Sequence, residues 1–166
     1  MEDAISRAKA DFVRAKDQLS RALANTPDDK VNWAPAPTAR TPVQIVAHCA
    51  MVVKNINDFL DGRPLQFTDT AAADKYFREQ ERPYTTRERA VSLLEKNSAE
   101  YLAWLDALTP ERLNTSIQLP FGLGSAPLAA GLAFPAAHTQ GHVGQIDYIQ
   151  TIYGDLDWHL NAPKAN

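Results

Sequence analysis

Residues 41–61 read TPVQIVAHCAMVVKNINDFLD, and this stretch contains a signal for the start of a helix followed by the pattern of its buried face. Thr41 can cap the helix, Pro42 suits the first helical position, and Gln44 completes a Thr-x-x-Gln capping box. The predicted buried face consists of Ile45, His48, Val52, Asn55, Ile56 and Phe59. Because these residues recur every three or four positions, we predict an amphipathic helix with two polar side chains on its buried face.

Three more segments have helical periodicity. We predict a first helix over residues 5–23, a third that starts at residue 85 or 86 and ends at Pro110, and a last helix over residues 125–153. Pro135 is expected to kink or break the last helix. Its predicted buried face consists of Phe134, His138, His142, Gln145, Ile149 and Ile152. Residues 115–119 are expected to be extended chain, and no sheet is predicted from them.

The composition and the helix lengths together predict the fold class. Of the 166 residues, 45% are apolar and 22% are charged, which is ordinary for a globular protein and suits one domain over residues 1–166. Four helices of about 20 residues would each span roughly 30 Å, as in an all-α four-helix bundle. A polar connection over residues 62–84, with a short helical turn around residues 72–80, is long enough for the second and third helices to run parallel.

Charge and cysteine content limit the classes of partner and compartment. Seventeen basic residues against twenty acidic ones give a net charge of −3, from which we expect no binding to nucleic acid or to an anionic membrane surface. The single Cys49 cannot form an intramolecular disulfide, and residues 1–6 lack the features of a signal peptide. No stretch reaches the roughly 20 apolar residues of a membrane span. We therefore expect a cytoplasmic protein.

Three of the four histidines fall on predicted buried faces. His138 and His142 are one helical turn apart, so their Cβ atoms lie about 5–6 Å apart and their rings could share one ion. A third ligand must come from another helix, and His48 is the available candidate. Such a site keeps one coordination position open for water or substrate, which is typical of a catalytic metal, and neutral imidazoles suit zinc or nickel.

A different interpretation is that these histidines are hydrogen-bonded core residues, as isolated histidines on apolar faces often are. Against it, neither histidine-bearing face carries a carboxylate that could compensate buried titratable groups. The 138–142 segment lacks the glutamate of HExxH proteases, and no glutamate stands three residues before a histidine as in di-iron bundles. On the residues alone, both interpretations stay open.

The remaining polar candidates are ambiguous. Cys49 points away from His48 around the helix, and we expect it to be a small packed residue. Asn55 and Gln145 could contact a substrate or a metal ligand, or could bond to neighbouring backbone. His159 is expected at the surface, although a C-terminal tail folded over the bundle could bring it toward the site.

Several of these features occur together in a known family. Trp33 stands before a proline-containing loop, Thr41 and Pro42 begin the helix that bears His48, and the last helix contains HTQGHVGQI over residues 138–146. In these features the chain resembles the DinB-like family of metalloenzymes, which is related to bacillithiol S-transferases and mycothiol-dependent maleylpyruvate isomerases. The resemblance covers nearly the whole chain, and the HxxxHxGQI segment is its most specific part.

The resemblance implies a bundle of up-down-down-up topology with the long crossover between helices two and three. It also implies a divalent metal held by His48, His138 and His142, and a homodimer. The expected activity is transfer of a low-molecular-weight thiol to a small electrophile, or a thiol-dependent isomerisation. The alternative is a non-catalytic bundle that binds a metal or a small ligand, because the histidine faces carry no evident acid or base.

Overall fold

The structure of this chain is a computed structural model that describes residues 3–160. Its elements in chain order are α1 Ala4–Ala24, α2 Pro42–Leu60, α3 Thr70–Glu81, α4 Arg87–Asp106, α5 Pro110–Leu113, β1 Ser116–Gln118, a 3-10 turn Pro120–Gly122, β2 Ser125–Pro127, α6 Leu128–Gly131 and α7 Phe134–Ile152. Within the described range, none of the helices combines the length and the apolar character that crossing a bilayer would require.

Short polar side chains set the starts of several helices. In α2, the Gln44 N–H donates to Thr41 Oγ1 at 3.3 Å, and the Thr41 N–H donates to Gln44 Oε1 at 3.0 Å, so the predicted capping box is confirmed. In α3, the Ala72 N–H donates to Asp69 Oδ1 at 2.8 Å. These caps satisfy backbone amides that have no partner inside the helix.

The helices α1, α2, α4 and α7 form a four-helix bundle, which confirms the predicted fold class. Helix α2 packs mainly against α4, and α1 packs mainly against α7. One buried apolar cluster joins the starts of α2 and α4 to the ends of α1 and α7, and a second cluster joins the opposite ends. Helices α2 and α4 therefore run in the same direction, antiparallel to α1 and α7.

Buried polar side chains tie neighbouring helices together inside the bundle. Asn97 Nδ2 on α4 donates to the Ala50 carbonyl of α2 at 2.8 Å, and the Tyr101 hydroxyl donates to the Leu132 carbonyl at 2.9 Å. Each bond satisfies a buried polar group and is directional, so it fixes the register of the elements that it joins.

The crossover between α2 and α4 contains α3, which is longer than the helical turn expected over residues 72–80. This helix packs against α2 and buries Phe77 and Glu81, with only 1% of Glu81 exposed. A buried carboxylate is costly unless it is paired, so the docking of α3 depends on the groups that surround Glu81.

The last helical region differs from the prediction. Ser125 does not cap a helix: it lies in β2, which pairs antiparallel with β1, so residues 115–119 contribute to a two-stranded hairpin. The helix breaks before Pro135 and gives the short α6 and the long α7, which agrees with the expected break. A Cβ on Gly131 would lie 2.5 Å from Leu60 Cδ2, so this glycine allows α6 to pack closely on the end of α2.

The buried face of α7 is rotated relative to the predicted face. Its buried residues are Pro135, Ala136, Thr139, Val143, Ile146, Ile149 and Gln150. The predicted Phe134, Gln145 and Ile152 are exposed, while His138 and His142 are half-buried at the edge of the core. Spacing predicts which residues share a helix face, but packing against the neighbouring helices decides which face is buried.

Candidate metal site

Three histidines from two helices meet at the edge of the core. His48 on α2 has its ring centroid 5.2 Å from that of His138 and 4.8 Å from that of His142, and the centroids of His138 and His142 are 4.5 Å apart. One ring nitrogen of each residue lies within 4.8 Å of the others, so the three side chains could hold one metal ion. His48 is buried and the other two are half-buried.

A buried carboxylate from α3 orients His48. His48 Nδ1 donates to Glu81 Oε1 at 2.7 Å, and Arg40 Nε donates to Glu81 Oε2 at 2.7 Å. Because an ionised carboxylate only accepts hydrogen bonds, Nδ1 carries the proton, and Nε2 is the nitrogen of His48 that remains for a metal. Burial opposes ionisation of Glu81, but the bonds from His48 and Arg40 outweigh it and hold the pKa of the carboxyl below its ordinary value.

The two histidines of α7 have weaker partners. His142 Nδ1 donates to Gln145 Oε1 at 2.7 Å, while His138 Nε2 is buried and has no hydrogen-bond partner among residues 3–160. Burial lowers the pKa of His138 to about 3 and that of His142 to about 4, and repulsion from the neighbouring histidines adds to both shifts. Both rings are therefore neutral near pH 7, which is the form that binds metals.

This donor set fits a divalent metal. Neutral imidazoles with available Nε2 atoms are ligands that zinc and nickel accept. A ring nitrogen buried without a partner, as in His138, is costly, and an ion would satisfy it. A carboxylate bonded to the opposite ring nitrogen, as Glu81 is bonded to His48, is the usual outer partner of a metal-binding histidine.

Aromatic side chains line the site on the side of α3. The Phe77 ring lies 5.1 Å from His48 in an edge-on contact, and Phe67 lies 5.5 Å from Phe77. Phe67 and Phe121 also line a cavity of about 480 Å³, and none of the three histidines is among its lining residues. Phe77 lies against His48 with Phe67 packed on it, and this apolar wall strengthens electrostatic interactions inside the cluster.

The other residues considered from the sequence lie elsewhere. Cys49 is fully buried and burial raises the pKa of its thiol, so its expected packing role is confirmed. Asn55 Nδ2 donates to the Met51 carbonyl of its own helix at 2.9 Å. His159 Nε2 lies 2.9 Å from Asp155 Oδ2 in the C-terminal segment, outside the three-histidine cluster.

Sequence reasoning missed Glu81 and Arg40. Neither histidine-bearing face carries a carboxylate, as the sequence indicates, but a carboxylate that compensates His48 comes from the crossover, which the prediction did not consider. The signal was present in the short helix expected there, since Phe77 and Glu81 are four residues apart and share one face. The apolar Phe77 indicates that this face of the crossover helix is buried. A buried Glu81 on the same face would then need a polar partner on the helix against which it packs.

Comparison with known proteins identifies the family. A sequence profile of the DinB superfamily matches residues 11–146. The chain belongs to the DinB superfamily. This result confirms the resemblance noted from the HxxxHxGQI segment and the Thr-Pro helix start. Among curated protein sequences, none matches the chain.

Solved structures share the fold at low sequence identity. DfsB, a sibling lethal factor precursor, has a TM-score of 0.71 and 17% identity, over 90% of this chain and 96% of its own. YfiT from Bacillus subtilis, described as a probable metal-dependent hydrolase with an unusual four-helix bundle topology, has a TM-score of 0.70 and 14% identity, over 90% of this chain and 87% of its own. ClbS, a colibactin self-resistance protein in complex with double-stranded DNA, has a TM-score of 0.69 and 12% identity, over 89% of this chain and 95% of its own.

The ClbS complex corrects one expectation. From the net charge of −3 we expected no binding to nucleic acid, and this exclusion was wrong because a protein of the same fold is in complex with double-stranded DNA. Net charge is a sum over the whole chain, whereas contacts to phosphates depend on the local arrangement of basic side chains.

Proposed function

We propose that this DinB-superfamily protein is a divalent-metal-dependent enzyme that uses a low-molecular-weight thiol. The thiol is transferred to a small electrophile, or assists the isomerisation of such a substrate. The ion, zinc or nickel, would be held by His48, His138 and His142. A bound ion of this kind lowers the pKa of a coordinated thiol or water, so that the thiolate or hydroxide is available near neutral pH. The observation that carries the proposal is the convergence of three imidazoles whose ligand atoms lie within 4.8 Å of one another.

The surrounding residues have defined roles in this proposal. Glu81 keeps the proton of His48 on Nδ1, so that Nε2 is turned toward the ion position. Arg40 keeps Glu81 ionised, and Gln145 orients His142 in the same way but less strongly, because its amide is neutral and exposed. Phe77 excludes water from one side of His48. These residues bind and orient, and none of them serves as a separate acid or base.

The choice of thiol rests on the family resemblance. The characterised relatives of the DinB-like family include thiol S-transferases and thiol-dependent isomerases, and the cytoplasm expected from the single cysteine would keep such a thiol reduced. Hydrolysis by water is the second candidate, supported by the likeness to YfiT, the probable metal-dependent hydrolase. Both reactions would use a metal ion held by the same three histidines.

Metal content is the first test. Untagged protein purified without added metal would be measured by elemental analysis, with His142→Ala as the variant and His159→Ala as the matched control, because His159 bonds to Asp155 outside the cluster. We expect about one equivalent of zinc or nickel in the wild type and in the control, and none in His142→Ala. A wild type that neither carries nor takes up metal would overturn the proposal.

Turnover is the second test. The metal-loaded protein would be assayed with an aryl halide and a panel of thiols, and separately with p-nitrophenyl acetate without thiol. Thiol-dependent conversion of the halide that is lost in His142→Ala supports the transferase. Ester hydrolysis alone would favour the hydrolase, and a metal-loaded protein inactive in both assays would favour a non-catalytic metal- or ligand-binding bundle.

A further inference from the structure

A small cavity beside the histidine cluster has a cationic lining. Its volume is about 290 Å³, it is open to solvent, and the charged residues that line it are Arg40 and Arg78. Its apolar part includes Pro35, Ile45 and Ile149. A volume of this size is near the lower end of the range for small-molecule sites, and such sites combine apolar walls with a few polar groups.

This cavity borders the candidate metal site through two hydrogen-bonded residues. Gln145 lines the cavity and accepts the hydrogen bond of His142 Nδ1 at 2.7 Å. Arg40 lines it and donates to Glu81, which in turn holds His48. A molecule in the cavity would therefore lie next to the residues that orient two of the three ligands.

Both arginines bond to Asp74 and have further donors that remain free among the described residues. Arg40 Nη2 donates to Asp74 Oδ1 at 3.2 Å, and Arg78 Nε donates to Asp74 Oδ2 at 2.7 Å, so Asp74 holds both side chains from outside the cavity. Among the described residues, Arg40 Nη1 and both Nη atoms of Arg78 have no hydrogen-bond partner. Preoriented guanidinium groups of this kind match a carboxylate in geometry and charge.

The first backbone amides of α2 are already used. The N–H of Val43 donates to the Val31 carbonyl at 3.2 Å, and the N–H of Gln44 donates to Thr41 Oγ1 at 3.3 Å. The start of α2 therefore offers few of the amides with which helix starts bind phosphate. Arginine donors next to an apolar wall favour a carboxylate on a short organic chain.

We propose that this cavity binds the carboxylate of the small molecule that the enzyme uses, so that the thiol or other reactive end of that molecule reaches the histidine cluster. The inference rests on the proposed function, and it adds a substrate class: small thiols or electrophiles that carry a carboxylate. Arg78 is a binding residue in this scheme. Arg40 has a double role because it also supports Glu81.

The first experiment needs no metal. Side-chain N–H signals of the arginines would be followed by NMR in the metal-free protein during titration with propionate, propionamide and inorganic phosphate. We expect propionate to shift the Arg78 signals of the wild type and propionamide to leave them unchanged. Propionate binding should weaken about tenfold in Arg78→Gln, the loss typical of a charged hydrogen-bonding group. Tighter binding of phosphate than of propionate would overturn the assignment to a carboxylate.

A matched control separates local recognition from general charge. Arg82→Gln removes one positive charge from an exposed residue at the end of the same helix, and Arg82 does not line the cavity. We expect this variant to bind propionate like the wild type. Arg78→Lys should keep only part of the affinity, because lysine retains the charge but lacks the paired N–H donors of the guanidinium group. Equal losses in Arg78→Gln and Arg82→Gln would contradict the proposal.

The second experiment links the cavity to the metal site. Protein loaded with Co(II) would be titrated with N-acetylcysteine and with its amide, and thiolate binding would be read from the charge-transfer absorption. We expect the acid to bind about tenfold more tightly than the amide in the wild type, and this preference to disappear in Arg78→Gln. If both thiols bind equally in the wild type, the carboxylate site is wrong while the metal proposal stands. Failure to bind Co(II) would instead reject the proposed function, and the propionate titration would still decide the cavity.

Discussion

The two sides of the histidine cluster are built differently. On the α2 side, His48 is buried, bonded to a buried carboxylate and packed against Phe77. On the α7 side, His138 and His142 are half-buried, and the only side-chain partner among the described residues is the neutral amide of Gln145. In the proposed metal site, one ligand would therefore be oriented firmly before an ion binds, and the ion would order the other two.

This difference follows from the chain elements involved. Helix α2 is buried around most of its first half, and α3 covers His48 from the crossover. The face of α7 that packs against the core does not include its two histidines. They lie at the edge of that face. In the proposed enzyme, the rim position would leave an approach for substrate, whereas the buried His48 would be a fixed ligand.

The largest contrast is expected from removing one ligand on each side. His48→Ala and His138→Ala should both lose stoichiometric metal binding, a greater effect than the roughly 10–100-fold that follows from loss of an outer partner. The metal-free proteins should differ. His48→Ala removes a hydrogen bond from buried Glu81 and should lower the free energy of unfolding by about 1–3 kcal/mol. His138→Ala removes an unpaired polar atom and should cost less.

Chelator competition and urea denaturation of the metal-free proteins measure these two effects. His159→Ala, which lies outside the cluster, is the control for both. Equal destabilisation by His48→Ala and His138→Ala would contradict the contrast between the two sides.

The second prediction concerns the carboxylate itself. Glu81→Gln should weaken metal binding by roughly 10–100-fold, because the amide holds the Nδ1 proton of His48 less strongly than the carboxylate does. The control is Asp74→Asn, since Asp74 also bonds to Arg40 but does not touch His48. Nitrogen chemical shifts of His48 would report its tautomer directly. If Glu81→Gln changes neither the metal affinity nor the tautomer of His48, the carboxylate has no role in the metal site.

The bundle and its three histidines could be predicted from the sequence because both depend on local spacing. The capping box at Thr41 and the i,i+4 relation of His138 and His142 each involve residues within one or two helical turns. Spacing places Glu81 and Phe77 on one face of α3, but the pairing of Glu81 with His48 could not be predicted in this way, because it forms only when α3 docks, across a separation of 33 residues. The buried face of α7 also could not be predicted correctly, because the apolar residues of this helix do not form one dominant stripe.

The third prediction is a pH dependence that belongs to the α7 side. The unfolded chain takes up protons on these histidines near the ordinary pKa of 6.5, whereas burial lowers the folded pKa of His138 to about 3 and of His142 to about 4. The unfolded state therefore binds more protons between these values, and stability of the metal-free protein should fall as the pH falls from 6.5 toward 4.

Each histidine contributes at most about 1.4 kcal/mol per pH unit to this slope. Urea unfolding of the metal-free protein at several pH values in that window would measure it. Replacement of both His138 and His142 by glutamine should flatten the curve, while His159→Gln should leave it unchanged. A wild-type stability that rises on acidification would contradict the prediction.

The smallest effect is expected at Gln145, the outer partner on the α7 side. Gln145→Ala should weaken metal binding by less than about tenfold, because a neutral and exposed acceptor orients His142 less strongly than buried Glu81 orients His48. The same chelator competition measures the affinity, and Gln140→Ala is the control because Gln140 is an exposed residue of the same helix. An effect as large as that of Glu81→Gln would mean that the α7 side is as strictly oriented as the α2 side, and the asymmetry of the site would then lie only in burial.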